Sequence, residues 1–553
     1  YAGNYLLDGG NAVYDTLIGG TGNDTYVIDS EADVITELAN EGTDNIQLKI
    51  ATQTQAFDMS SVATEVENLT IINAVAQNVV GNALNNILTG NAQTNKLEGD
   101  DGNDTLIGGA GDDTLIGGNG SDVLRGDLGA DVLEGGLDDD TYFVNLIQNV
   151  AADTITLEDT VTESASEGID TITIGYISPK KLYHTYSVTM PDNIENMILL
   201  VSGVTSTTNY VTFYGNDLDN KMTVDACANS FDGGDGNDSL YGGAGQDSLV
   251  GGNGDDFLSG QQGSDQLYGN DGNDTIYAGS ENDTVSGGDG DDLIMGEANN
   301  DDLDTGAGNN TANGGLGNDV IYASDGNDWL LGDLGNDLIF AGAGDDTIDG
   351  GSGGDIVQAG DGDDTIYLGN DREMVFGGSG VDTFIFNQKA TQASSKFKHD
   401  YAIYNIDFTT KTLHEYSVLS KLDYKYYAIN QINLFGSVYD LFYSQVSGGL
   451  YYEYSYVKPL KPYFNNATIV DFVSGEDKLT FDTHVFTALT DTSTQFVSGN
   501  TNSAYQATDY LIYNQQTGDL FYDPDGNGNK SQSYFVVTLQ GQPSLTATDI
   551  SLI

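Results

Sequence analysis

The chain has 553 residues, 72 of them glycine and only 6 proline. Asp and Glu number 85 against 17 Lys and Arg, a net charge of -68. That balance excludes nucleic acid and anionic membrane as partners, since both select basic surfaces, and points to cations instead.

The hydrophobic fraction is 38%, below the usual 45–50%, so the core must be thin or metal-assisted. One cysteine, Cys227, excludes a disulfide scaffold and cysteine-based zinc. No apolar run of about 18 residues is present to form a transmembrane segment. The chain opens at Tyr1 inside Gly-rich sequence, without a signal peptide. It reads as a processed product or the C-terminal part of something longer.

In chain order, residues 1–80 hold an isolated unit, GGTGNDTYV at 19–27, followed by a β-module. Residues 81–143 are seven consecutive nonapeptides. Residues 144–214 repeat the β-module: TELANEGTDNI, VENLTI and GNALNNILTG return as TESASEGIDTI, IENMILL and GNDLDNKMT. Residues 215–385 form 19 nonapeptides in unbroken register. Residues 386–466 are a Tyr-rich β insertion with 13 of the 33 Tyr, 8 Lys/Arg and 6 acids. Residues 467–553 return to an acidic β pattern and end DISLI.

A period of nine rich in turn formers fits no helix. Six residues of Gly, Asp and Asn predict a turn, and the following x-apolar-x predicts a short strand. Position eight is apolar in all 19 units of the long array, from Met222 to Phe384. Two nonapeptides then close one coil of 18 residues, with a strand on each face, a turn on each edge and the position-eight side chains inside. The predicted fold class is all-β: parallel β-roll solenoids with interspersed β-subdomains. No Pro lies between 192 and 458, as a ladder that uses every backbone donor requires.

The turns have the chemistry of Ca²⁺ sites. Ca²⁺ takes six to eight oxygens, and glycines let successive carbonyls converge on it. Position six adds an Asp carboxylate in 15 of the 19 long-array units. The candidate ligands are Asp24 in the isolated unit and Asp104, Asp113, Asp122, Asp131 and Asp140 in the first array. In the second array, one row contains Asp238, Asp256, Asp274 and Asp292, continuing as Asp328, Asp346, Asp364 and Asp382. The other contains Asp247, Asp265, Asp283, Asp301, Asp319, Asp337 and Asp355. The long array carries 36 acids and two cations, Lys221 and Arg372, so without counter-ions it should not collapse. Asn86, Asn95, Asn220, Asn229 and Asn310 replace the Asp, and Glu373 does so once. Those edges bind weakly or not at all and cap the roll. Asp523 and Asp525, before Asn527 and Gly528, form half of an EF-hand-like loop. Tyr534 stands where the bidentate Glu belongs.

These units resemble the G-G-x-G-x-D-x-U-x nonapeptides of RTX (repeats-in-toxin) proteins, the calcium-binding parallel β-roll family. The resemblance implies export by the type I secretion machinery, an extracellular location and a C-terminal, uncleaved secretion signal. IVDFVSGEDKLTF (469–481), DYLIYNQQTGDLFYDPDGNG (509–528) and the final Asp549–Ile553 are similar to that region.

Enzyme signatures are poor. Ser352 in GGSGG matches a nucleophile motif only because the repeat dictates it, and the strand-to-helix context is missing. His184, His399, His414 and His484 are scattered. The expected function is a non-enzymatic, secreted calcium-binding structural protein: a surface-layer, filament or adhesin subunit. The alternative is the export and folding region of a larger secreted toxin or hydrolase. The insertion reads either as a β-subdomain with its Tyr rings half buried or as a surface for self-association into a layer or filament, or for a cell-surface glycan, because Tyr suits interfaces. Tyr268, Tyr322, Phe340 and Phe376, spaced by multiples of 18, are expected to form an outward stripe.

Overall fold

The computed structural model describes residues 2–10, 14–149, 154–175, 186–200, 211–224, 228–368, 373–386, 467–481, 486, 489–499, 510–523 and 534–553, plus the backbone of strands between 404 and 454. It divides into two compact units, 1–331 and 332–553.

In the first unit the nonapeptides coil as parallel strands two units apart. Lys96–Asp101 pairs with Thr114–Asn119, and that strand with Val132–Leu137. Thr105–Ala110 pairs with Val123–Leu128 on the opposite face. The strand is longer than its three-residue expectation, because pairing continues into the next unit's glycines: Asp100 lies opposite Gly118 and Asp101 opposite Asn119. The turn shrinks to positions four to six. It closes through the position-four glycine, as at Gly102, whose φ is +123°. A Cβ there would strike the backbone of Leu84 in the preceding coil.

Position-eight side chains fill the centre. Leu97, Leu106, Leu115, Leu124 and Leu133 are fully buried, as are Leu240, Leu249, Leu258, Leu267 and Ile276. This β-solenoid is the all-β fold that the nine-residue period implies. The spacers supply further coils of the same stack. Thr25 lies opposite Asn45, Asn45 opposite Asn68, and Asn68 opposite Ile87 at the edge of the first array. After it, Thr141 lies opposite Thr171, Thr171 opposite Asn196, and Asn196 opposite Lys221 at the start of the second array. These coils are longer than 18 residues, which hides them from a nine-residue scan.

In the second unit two parallel ladders run to the C-terminal strands. Ile356–Asp361 pairs with Met374–Ser379, which pairs with Thr468–Ile469. Thr365–Leu368 pairs with Thr383–Phe386, then Lys478–Phe481, then Ile550–Leu552. The insertion follows Thr383–Phe386 and precedes Thr468–Ile469, and strands beyond it pair directly with strands before it. Its backbone forms two antiparallel sheets, Tyr404–Asp407 with Thr412–Glu415, and Tyr426–Leu434 with Ser437–Val446 and Gly449–Tyr454. Phe386, Phe481, Phe486 and Tyr522 pack ring to ring at 5.0, 5.0 and 5.1 Å beneath the C-terminal strands.

The expected outward stripe is interrupted. Ser286 and Asp304 stand in register between Tyr268 and Tyr322, and Gln358 between Phe340 and Phe376. The first unit instead carries a ladder of Tyr241, Phe257 and Tyr277, with centroids 5.5 and 5.7 Å apart. The Lys221 ammonium lies 5.7 Å over Tyr241. This ladder alternates positions nine and seven, so equal spacing does not reveal it.

Candidate calcium-binding turns

Every position-six Asp named above is buried, as is Asp523. Asp525 lies outside the described residues. The two oxygens of a position-six carboxylate have different surroundings. Oδ1 accepts the backbone N–H of the aspartate one coil earlier: Asp104 N–H donates to Asp122 at 2.6 Å, Asp238 to Asp256 at 2.7 Å, and Asp256 to Asp274 at 2.8 Å. The other edge does the same, from Asp247 to Asp265 at 2.8 Å and from Asp283 to Asp301 at 2.9 Å. In the second unit Asp346 N–H donates to Asp364 at 2.9 Å.

Oδ2 is buried without a hydrogen-bond partner at Asp104, Asp113, Asp122, Asp238, Asp256, Asp274, Asp292 and Asp364. In all of these but Asp364, whose unit begins with Ala359, it points at the position-one glycine of its own unit. A Cβ on Gly99 would collide with Asp104 Oδ2 and with the carbonyl of Gly117, one coil on. Where position one is glycine, the turn thus presents an anionic oxygen in a cradle that a Cβ would fill, beside a backbone carbonyl at Gly99, Gly233 and Gly269. This donor set, all oxygen and lacking a counter-charge, fits Ca²⁺. Among the described residues, Lys49 pairs with Asp8 and Asp29, Lys96 with Glu98, and Arg125 with Asp127, all outside these rows.

Burial dominates the electrostatics. It pushes the carboxyls of Asp104, Asp238, Asp256 and Asp274 up to about 7, partly opposed by the backbone hydrogen bond to Oδ1. Asp301 goes up to about 9, with the charges of Asp319 and Asp283 adding to burial. Asp549 shows what protein donors alone achieve. Burial would raise it, yet hydrogen bonds from Thr546, Ser474 and Gly475 hold it below the ordinary range.

The asparagines are satisfied differently. Asn310 Oδ1 accepts from Asp292 N–H at 2.8 Å, as an Asp would. Its Nδ2 lies 3.4 and 3.3 Å from the carbonyls of Gly306 and Gly308 and donates to them, so the amide stands where an ion would. Asn86 and Asn95, at the start of the first array, donate to the carbonyls of Glu67 and Gln77. Asp274→Ala should therefore lower calcium uptake. Asn310→Ala should leave uptake unchanged while lowering stability by roughly 1–3 kcal/mol, the usual cost of orphaning buried polar groups. Calcium titration beside thermal melting separates the two, and equal losses of calcium would refute the assignment.

Position five carries a second ladder that spacing does not announce. Its side chains accept from the following coil: Asn237 N–H donates to Asp219 at 2.8 Å, Asp255 to Asn237 at 2.9 Å, and Asn273 to Asp255 at 2.8 Å. Also missed were the buried Asp33, Asp44, Asp159, Asp170 and Asp477, which take the position-six role, Asp33 at the usual separation of 18 and the others in longer coils. Their signal is an Asp two residues before an apolar residue.

A family model described as RTX calcium-binding nonapeptide repeat matches residues 10–35 and, in overlapping matches, residues 80 to 142 and 214 to 384. No curated protein matches the chain.

Proposed function

From a chain that carries RTX calcium-binding nonapeptide repeats through two long stretches, we propose a non-enzymatic structural protein of the cell exterior, folded by Ca²⁺ after type I export. RTX repeat proteins bind Ca²⁺ and are typically secreted. Among the described residues no helix is long and apolar enough to cross a membrane. The observation that carries the reading is the buried row of half-satisfied carboxylates, which makes most of the described chain a calcium-dependent scaffold. The position-six ligands are Asp24, Asp104 to Asp140 and Asp238 to Asp382, in the rows given above. The role is that of a surface-layer, filament or adhesin subunit. A chelator should release it from the source cells as a species near 58.6 kDa. A heavier native polypeptide with a further domain would favour the export and folding region of a secreted toxin or hydrolase.

The insertion is the proposed contact surface for a neighbouring copy. Its 8 Lys/Arg against 6 acids oppose a chain of net charge -68, and such complementarity guides association. Deleting 389–466 should preserve the Ca²⁺-induced β spectrum, because the strands on either side already pair. It should also abolish large particles in light scattering. Normal assembly of the deletion variant would reduce the insertion to a packed subdomain, leaving a glycan as its remaining candidate ligand.

A further inference from the structure

Two places in the first unit break the repeat in the same way. In the units beginning at Gly19 and Gly135, position eight is not aliphatic but Tyr26 and Tyr142, both fully buried. The coil stacked on each replaces the position-one glycine with glutamate. Ile18 lies opposite Thr36, which places Glu37 over Gly19, and Glu134 lies opposite Thr162, which places Glu163 over Gly135. The position-six residues of the next coils are Asp44 and Asp170. Each is bonded in the usual way, accepting from Asp24 N–H at 2.6 Å and from Asp140 N–H at 2.8 Å.

Three carboxylates thereby converge twice. Ligand oxygens of Asp24, Glu37 and Asp44 lie within 4.8 Å of one another, as do those of Asp140, Glu163 and Asp170. Asp140 Oδ2 and Glu163 Oε2 are buried without hydrogen-bond partners. So, independently, is the hydroxyl of Tyr142, which is aimed into the same space: a Cβ on Gly135 would strike both it and the Asp140 carboxylate. In the other copy the Tyr26 hydroxyl donates to Glu37, while Asp24 Oδ2, Glu37 Oε1 and Asp44 Oδ2 are left without partners.

The second unit supplies a contrast. There position eight is Phe384 and the position-one substitute is the shorter Asp471. Its carboxylate accepts from the backbone N–H groups of Gly377 and Gly378, at 2.9 Å each. No comparable trio forms there among the described residues. A cluster therefore accompanies the tyrosine and the longer acid together.

We propose that Asp24, Glu37 and Asp44 with Tyr26, and Asp140, Glu163 and Asp170 with Tyr142, are two copies of a second class of Ca²⁺ site. It differs from the turn rows in holding three carboxylates and a phenolic oxygen, and it sits where nonapeptide coils give way to longer ones. Three acids at this separation need a cation of at least two charges, and a hard all-oxygen set selects Ca²⁺. The inference is independent of the exterior role proposed above.

Tyrosine-sensitised luminescence of Tb³⁺, loaded on the full chain in place of Ca²⁺, tests it. The Glu37→Gln/Glu163→Gln variant keeps every tyrosine and every nonapeptide turn. It should lose the same emission component that Tyr26→Phe/Tyr142→Phe loses, and each single Gln variant about half of it. Wild-type emission from the double Gln variant would overturn the proposal. Should the Gln variants fail to fold in Ca²⁺, Eu³⁺ excitation of the wild-type chain decides instead. Two ion classes, the minor one of higher ligand charge, support the sites, and a single class overturns them.

Discussion

Stripped of Ca²⁺ at pH 8, the chain should show no β-sheet circular-dichroism signal, and millimolar Ca²⁺ should restore it. The solenoid buries one half-satisfied carboxylate in nearly every turn, and an unpaired buried charge is too costly to keep. Apolar burial amounts to one large central side chain in most nonapeptides, which cannot offset so many charges. Cation binding is then also the folding free energy, with site affinities around 10⁻⁴–10⁻³ M, as for extracellular calcium modules. A complete β spectrum in excess chelator at pH 8 would refute this.

Protons should substitute partly for the metal. Unfolded, these carboxyls titrate near their ordinary 3.8. Folded without a cation, burial holds Asp238, Asp256 and Asp274 near 7. Between about pH 4 and pH 7 the folded chain binds more protons than the unfolded one, so stability falls as pH rises through that window. In chelator, the β signal should accordingly grow on acidification from pH 8 to pH 5 and vanish on return. With saturating Ca²⁺ the dependence should reverse, since protons then compete with the ion for the same oxygens. A chelated sample with equal signal at both pH values would contradict the burial argument.

The period of nine, the apolar position eight and the position-six acids were all legible because each repeats the same local chemistry. What escaped depends on stacking. The strand runs through the glycines because pairing with the next coil, not local propensity, defines it. The spacers join the stack because Asp44 and Asp170 take the position-six role at sequence separations of 20 and 30, where a fixed-period scan fails. Asn310 looked like a silent substitution, yet its amide fills the place of an ion. The Tyr142 cluster combines residues from two stacked coils, and no single repeat shows it.

The two side-chain ladders point in opposite directions along the stack: position six accepts from the coil before, position five from the coil after. Where both ladders run, as between the coils of Asp219, Asn237, Asp238 and Asp256, the interface is thus latched from both sides. Under tension the chain should yield one whole coil at a time, never half a coil. Within the nonapeptide arrays each event would pay out 18 residues, at most roughly 60 Å of extended chain, together with the ions shared across that interface. Calcium concentration would then set the force at which the next turn lets go, giving the fold a graded mechanical compliance.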